Sequence, residues 1–174
     1  VQVINARYNI NAGASMVIYG NIPIGCGLSS SSALVISIAR SICHLFNIQI
    51  KDRQLARLCQ KIENRALGTA GGLLDQYGII LSKKDQFMVI DFQDDSIEYI
   101  PSILNDCTWI VVNSQVSREL SKSAYLQRVN ECKEGLRILK KETGISSFRD
   151  IDQPVLQKLK NKYDVLYKRL CHVP

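Results

Sequence analysis

The sequence predicts a mixed protein of helices and strands, and three observations support this prediction. Apolar residues recur at spacings of three and four along several stretches, as on the buried face of a helix. Short runs rich in β-branched and aromatic residues lie between those stretches and are typical of strands. A glycine and serine stretch, residues 23–33, joins a strand-like run to an apolar helical run. The 174 residues, 46% of them hydrophobic, suit one domain or one domain and part of a second.

Charge and cysteine spacing exclude several classes of protein. The formal net charge of +6 comes without a long run of Lys or Arg, so small anionic ligands are favoured and no nucleic-acid partner is expected. The six cysteines form neither a Cys-x-x-Cys pair nor a zinc-type cluster. Several lie at apolar helix positions, which favours a reducing cytoplasm. The longest apolar runs are far shorter than about 20 residues, so no membrane contact is expected.

The first half of the chain is expected to contain two strands and two helices. The first helix is apolar on most sides and is therefore expected to be buried. The second would begin with Asp52 as its N-cap and stop at Gly68. The strands are predicted over residues 1–4 and 15–20, and the helices over residues 30–46 and 52–67.

The second half is expected to begin with strands and end with helices. Strands are predicted over residues 77–81 and 87–92, as a hairpin, and over residues 97–100 and 107–113. The last of these is dense in apolar residues, so we expect both of its faces to be covered. Gly144 would end the first of two helical stripes. Their members are Tyr125, Val129, Cys132, Leu136 and Leu139 in the first, and Leu156, Leu159, Tyr163, Leu166 and Leu170 in the second.

Residues 23–33, Pro-Ile-Gly-Cys-Gly-Leu-Ser-Ser-Ser-Ser-Ala, are typical of an anion-binding loop. Two glycines allow a tight turn, and the helix that follows presents free N–H groups and about half a positive charge at its start. The simpler alternative is a strand-to-helix turn with a serine cap, although four successive serines are more than a cap needs. The stretch matches neither the P-loop nor the dinucleotide fingerprint, which leaves a phosphate loop of another type.

Two acidic residues, Glu63 and Asp75, stand next to apolar residues and are candidates for a functional site. Glu63 follows the apolar Ile62 at the edge of the buried stripe of its helix, where a solvated surface acid is the simpler alternative. Asp75 follows Gly-Gly-Leu-Leu and precedes an apolar run, where a helix cap is the alternative.

Three separated segments resemble one superfamily in order. Residues 23–33 resemble the central ATP-binding motif of the GHMP kinases, in its galactokinase form. Residues 59–64, Cys-Gln-Lys-Ile-Glu-Asn, with Asp75 in Gly-Leu-Leu-Asp-Gln, resemble the galactokinase segment that carries a magnesium glutamate and a catalytic aspartate. Residues 112–116, Val-Asn-Ser-Gln-Val, and 125–132, Tyr-Leu-Gln-Arg-Val-Asn-Glu-Cys, are similar to the stretch that reaches a sugar-contacting tyrosine.

The resemblance implies ATP and Mg²⁺ as cofactors and phosphoryl transfer to the anomeric hydroxyl of galactose or a related sugar. It implies that Ser31 and Glu63 bind the metal ion. Asp75 would be the catalytic base and contact the sugar, and Tyr125 would lie beside the sugar. The implied nucleotide-binding residues are Pro23, Gly25, Gly27, Leu28, Ser29, Ser30, Ser31 and Ser32.

The resemblance also implies the α+β fold of GHMP kinases, whose ribosomal-protein-like N-terminal part contains a left-handed strand–helix–strand crossover at the loop. Residues 1–104 would be part of the N-terminal ATP-binding domain, and residues 105–174 the incomplete beginning of the C-terminal domain. The family's N-terminal and C-terminal motifs are absent from these residues, so we expect the middle part of a kinase. The oligomeric state stays open, with self-association of the piece as one alternative.

Other functions within the same resemblance also stay open. A uronic-acid kinase or a heptose kinase is one alternative, and the positive charge mildly favours an acidic sugar. A non-catalytic galactokinase-like sensor of sugar and ATP is another. The presence of Ser31, Glu63 and Asp75 favours the kinase.

Overall fold

The structure, a computed structural model, describes residues 1–104, 106–115, 124–160 and 167–168. The chain divides into two compact units, residues 1–119 and residues 120–174. Helices and a small antiparallel sheet make up the first unit, which confirms the expected α+β class. The domain boundary expected at residue 104 stays a prediction.

The described residues of the first unit form four helices followed by one hairpin. Strands β1 and β2 pair antiparallel, with Gln86 opposite Pro101 and Asp91 opposite Ser96. They form the two-stranded sheet of the described residues. The element bounds are α1 Gln2–Tyr8, α2 Ser30–Leu45, α3 Asp52–Leu67, α4 Leu74–Leu81, β1 Gln86–Asp91 and β2 Ser96–Pro101.

Helices α2 and α3 supply most of the first unit's core, because each buries a stripe at helical spacing. The buried core side chains are Ile4 from α1, Ile36, Ala39 and Ile42 from α2, and Leu55, Leu58 and Cys59 from α3. Gly68 ends α3 in the left-handed conformation, with φ 62°. Both helix predictions and the stop at Gly68 are therefore confirmed. The N-cap of α3 is Lys51 rather than Asp52, which lies in the first turn.

Four strand predictions in the first unit are wrong. Residues 1–4 are the N-cap and first turn of helix α1, and residues 77–81 belong to helix α4. Residues 15–20 and 107–113 form no strand. Without a strand at 15–20, the described residues do not form the crossover expected at the loop. The hairpin partner of the strand predicted over residues 87–92 is instead the strand predicted at 97–100, which is confirmed within β2.

Residues 107–113 were expected to be covered on both faces, and they are instead exposed. Trp109, Ile110, Val111 and Val112 are each more than 70% exposed. Strand formation requires a partner for the backbone N–H and C=O groups, and no segment of the described residues pairs with this run. The apolar composition of this run is therefore not sufficient to make it a strand.

The second unit is helical within its described residues. It contains α5 Ala124–Thr143, a 3₁₀ turn Phe148–Asp150 and α6 Gln153–Lys160. Leu139 and Leu156 form its buried core, and Gly144 ends α5 with φ 79°. The helix predicted at the first stripe and its end at Gly144 are confirmed, as is helix at Leu156 and Leu159. Within that first stripe Leu139 is buried, whereas Tyr125 is 46% exposed. The rest of the second stripe, Tyr163, Leu166 and Leu170, lies outside the described residues.

Helices long and apolar enough to cross a bilayer are absent from the described part of the chain.

Candidate active site

The glycine and serine loop turns sharply into helix α2. Gly25 and Gly27 have φ 76° and 75°, values that a residue with a Cβ adopts only with strain. Ser29 is the N-cap of α2 and also has a positive φ, 54°, and its side chain makes no capping hydrogen bond. The serine cap considered from sequence is therefore not formed at Ser29. The N–H groups of the first turn of α2 donate no hydrogen bond to that side chain, which leaves them available to an anion.

Glu63 lies on helix α3, on the side that faces the beginning of α2, and it is only 8% exposed. Its Oε1 accepts a hydrogen bond from Ser31 Oγ at 2.5 Å, and its Oε2 accepts one from Ser32 Oγ at 2.7 Å. Burying a carboxylate is costly unless hydrogen-bond donors surround it. The interpretation of Glu63 as a solvated surface acid is therefore wrong.

Gln76 completes this cluster from helix α4. Its Nε2 donates to Glu63 Oε2 at 2.7 Å and to Ser32 Oγ at 3.2 Å. The side chain is 3% exposed, and its Oε1 is buried without a hydrogen-bond partner among the described residues. Sequence reasoning missed Gln76, although it stands directly after Asp75 in the segment Gly-Leu-Leu-Asp-Gln. Its place next to Asp75, directly before the apolar end of α4, was the sequence signal available.

Asp75 lies in the first turn of α4 and is exposed. The segment before Asp75 is hydrogen-bonded to α3 at Gly71. Asn64 Oδ1 accepts a hydrogen bond from Gly71 N at 2.7 Å, and Asn64 Nδ2 donates one to Gly71 O at 3.0 Å. Gln60 Nε2 donates to the same carbonyl at 2.9 Å. A Cβ added at Gly71 would lie 3.3 Å from Asn64 Oδ1. Side chains of α3, the helix that carries Glu63, therefore fix the backbone that leads to Asp75. The Asp75 carboxylate itself stays accessible.

A pocket of about 440 Å³ lies beside the loop, between residues 18–24 and the beginning of α2. This volume is within the usual range for a small-molecule site. Apolar side chains dominate its lining, with Ser30, Ser31 and Ser37 as the polar contribution. The apolar lining residues are Ile18, Tyr19, Ile22, Ile24, Ala33 and Leu34.

The oxygen atoms around Glu63 fit the predicted metal ion. Mg²⁺ prefers oxygen ligands and is usually held by one or two carboxylates together with phosphates and water. A carboxylate oxygen of Glu63 and the hydroxyl of Ser31 lie 2.5 Å apart, so both can face one cation. Their assignment as metal ligands stays a prediction.

The remaining predicted residues divide between the two units. Pro23 and Leu28 lie in the loop, and Leu28 is 40% exposed. Tyr125 lies on α5 in the second unit, 46% exposed. The structure thus brings Ser31, Ser32 and Glu63 together with the neighbour of Asp75, and the sugar contact of Tyr125 stays a prediction.

Comparisons with known proteins agree on one family. Residues 1–83 match the GHMP kinases N terminal domain. The chain is 35% identical over 162 residues to a galactokinase of Clostridium perfringens, covering 93% of this chain and 42% of the relative. It is 32% identical to a galactokinase of Staphylococcus carnosus, covering 95% and 43%. The crystal structure of Lactococcus lactis galactokinase complexed with galactose superposes with a TM-score of 0.75 at 28% identity, over 88% of this chain and 40% of that one. The chain therefore spans about two fifths of the length of these relatives.

Proposed function

We propose that this chain, a galactokinase-like member of the GHMP kinase superfamily, carries the phosphate-binding and metal-binding part of an ATP-dependent sugar 1-kinase. The reaction would transfer a phosphoryl group from MgATP to the anomeric hydroxyl of galactose or a related sugar. The two galactokinases at 35% and 32% identity and the galactose-bound structural relative support this proposal.

The observation that carries the proposal is the convergence of the family's separated segments on Glu63. Ser31 and Ser32 come from the end of the loop, Glu63 comes from α3, and Gln76 comes from the turn that also holds Asp75. These residues are far apart in the sequence, and an ordinary helix-packing contact would have apolar side chains there. A buried carboxylate among hydroxyl and amide donors is typical of a site that binds a charged ligand.

Each predicted residue has a distinct task in this proposal. The N–H groups at the start of α2 and the turns at Gly25 and Gly27 would bind the phosphates of ATP. Ser31 and Glu63 would hold Mg²⁺, which when bound neutralises phosphate charge and orients the transferred group. The pocket beside residues 18–24 would accommodate the nucleoside, because it is apolar and adjoins the loop.

Asp75 would receive the proton of the anomeric hydroxyl as that oxygen bonds to phosphorus. A carboxylate is a weak base, but it needs to accept the proton only late in the transfer. The exposed carboxylate at the beginning of α4 can be approached by a substrate, while the bonds at Gly71 fix the backbone that carries it. Tyr125 would pack beside the sugar.

The test is coupled ADP release from the full-length gene product, measured against galactose, glucose, a uronic acid and a heptose. We expect ADP release to depend on one of these sugars. Asp75→Asn should lower kcat by about 10²- to 10⁴-fold, the range for loss of a general base. Asp52→Asn is the matched control, since Asp52 lies in the first turn of α3 as Asp75 does in α4, and its turnover should stay unchanged.

The sugar panel also separates the alternatives. Turnover with the uronic acid or the heptose alone would assign the protein to those kinases. Binding of ATP and sugar without ADP release would identify a non-catalytic sensor and refute the kinase. Undiminished turnover of Asp75→Asn would refute the assignment of Asp75 as the base.

We also propose a cytoplasmic location. Five of the six cysteines lie in the described part of the chain, and all five are free thiols, as expected in a reducing compartment. ATP as phosphoryl donor is consistent with this location.

A further inference from the structure

The amide of Gln76 links three helices of the first unit. It lies on α4, and its Nε2 donates to Glu63 on α3 and to Ser32 on α2. Glu63 Oε2 thereby accepts two hydrogen bonds, from Gln76 and Ser32, while Oε1 accepts one from Ser31. The two bonds to Oε2 fix the rotation of the carboxyl group, and Oε1 is left as the oxygen that faces the predicted metal ligand Ser31.

The oxygen atom of the same amide makes no hydrogen bond in the described structure. Gln76 Oε1 is buried and accepts no hydrogen bond within the described residues. A buried acceptor without a partner loses its hydration without compensation, and this cost offsets part of the stability that the two bonds of Nε2 contribute. The hydrogen bonds of this side chain are therefore made at Nε2, which donates to Glu63 and Ser32 of the proposed site.

Gln76 is also the neighbour of Asp75 in the chain. The backbone before α4 is fixed to α3 at Gly71, and the Gln76 amide fixes the first turn of α4 to Glu63 itself. A change in the Gln76 contact therefore alters both the orientation of Glu63 and the position of the turn that carries Asp75. One side chain thus connects the two predicted functional carboxylates.

We propose that Gln76 is a positioning residue that orients Glu63 for divalent-cation binding and keeps the first turn of α4 in place beside it. This proposal rests on the proposed function, because it assumes that Glu63 is a metal ligand. Residues that orient a metal ligand typically change metal affinity 10- to 100-fold when replaced.

The test compares Gln76→Met with wild type and with Tyr77→Phe. Methionine keeps the length of the side chain and removes both donors and the unpartnered acceptor. Tyr77→Phe is the matched control: Tyr77 is also buried on α4, but its hydroxyl donates to Asp95, away from Glu63. The readout is Mn²⁺ affinity in the presence of AMP-PNP, followed by electron paramagnetic resonance on the full-length gene product, together with the thermal unfolding midpoint.

We expect Gln76→Met to weaken Mn²⁺ binding about 10-fold or more, while the thermal unfolding midpoint shows that the variant stays folded at the temperature of the binding measurement. AMP-PNP affinity without metal should stay unchanged, and Tyr77→Phe should bind Mn²⁺ as wild type does. Should Gln76→Met destabilise the protein strongly, Gln76→Asn, which withdraws the amide by one methylene, provides the same comparison.

Equal Mn²⁺ affinity in wild type and the Gln76 variants would overturn the proposal. An equal loss of Mn²⁺ affinity in Tyr77→Phe would also overturn it, because the effect would then come from weaker packing of α4. These outcomes are distinct from failure of the proposed function. A wild-type protein that binds Mn²⁺ and AMP-PNP without sugar-dependent ADP release would refute the kinase, and the difference between the variants would still decide the role of Gln76.

Discussion

The two carboxylates on which the proposed site depends have opposite surroundings. Glu63 is 8% exposed and accepts hydrogen bonds from Ser31, Ser32 and Gln76, whereas Asp75, twelve residues further along the chain, is exposed in the first turn of α4. Burial with several donors fixes the orientation of Glu63 before a ligand binds. Exposure leaves the Asp75 carboxylate free to meet a substrate. The difference suits a metal ligand on one side and a base on the other.

The largest effect should appear in stability when each carboxylate is truncated. Glu63→Ala removes the common acceptor of three buried or half-buried donors, and we expect a loss of about 3 kcal/mol in the free energy of unfolding. Asp75→Ala changes an exposed side chain and should cost less than about 0.5 kcal/mol. Urea denaturation of the full-length gene product measures both values. Equal losses would remove the distinction between a buried and an exposed carboxylate.

Thiol reactivity tests whether the helices around Glu63 are as closed as the structure indicates. Burial raises the pKa of Cys59 on α3 to about 11 and also raises the pKa of Cys43 on α2. Because the thiolate is the reactive form, both should react with iodoacetamide more slowly than the exposed Cys107, and Cys59 about 100-fold or more slowly. Peptide mapping by mass spectrometry after timed labelling gives the rates. Similar rates at Cys43 and Cys107 would show that the α2–α3 packing opens readily.

A third carboxylate, Asp95, gives an intermediate case. It is partly exposed, and the Tyr77 hydroxyl at 2.7 Å with the guanidinium groups of Arg53 and Arg57 holds its pKa at about 2. Since the folded-state pKa is lowered, its stabilising contribution is present above the ordinary value of about 3.9 and is lost as the pH falls through about 2. Asp95→Asn should therefore lose less stability between pH 4 and pH 2 than wild type. Thermal unfolding at several pH values checks this, and identical slopes would contradict the lowered pKa.

Much of the helical framework could be predicted from sequence. Helices α2 and α3 were predicted within one residue because their apolar residues follow a helical period over 16 residues each. Glycines with a positive φ ended α3 and α5 as expected. The convergence of Ser31 and Glu63 followed from the family resemblance, and the structure provides the distances.

The incorrect predictions have a common physical cause, since short segments are decided by tertiary contacts. Helix α4 has eight residues, and its Tyr-Gly-Ile-Ile-Leu end is rich in strand formers. Burial of Gln76 and Tyr77 in the first unit outweighs that local preference. Residues 15–20 and 107–113 have strand composition, but composition cannot supply the partner that a strand requires. Gln76 was missed because its bonds to Ser32 and Glu63, which lie on two other helices, appear only in the folded structure.

The division of roles between Glu63 and Asp75 can be tested by one paired measurement. Mn²⁺ affinity in the presence of AMP-PNP and sugar-dependent kcat are measured for Glu63→Gln and Asp75→Asn in the full-length gene product. We predict that Glu63→Gln loses Mn²⁺ affinity, and that Asp75→Asn keeps wild-type Mn²⁺ affinity while its kcat falls by about 10²-fold or more. Wild-type Mn²⁺ affinity in Glu63→Gln, or wild-type turnover in Asp75→Asn, would contradict the assignment of metal ligand and base.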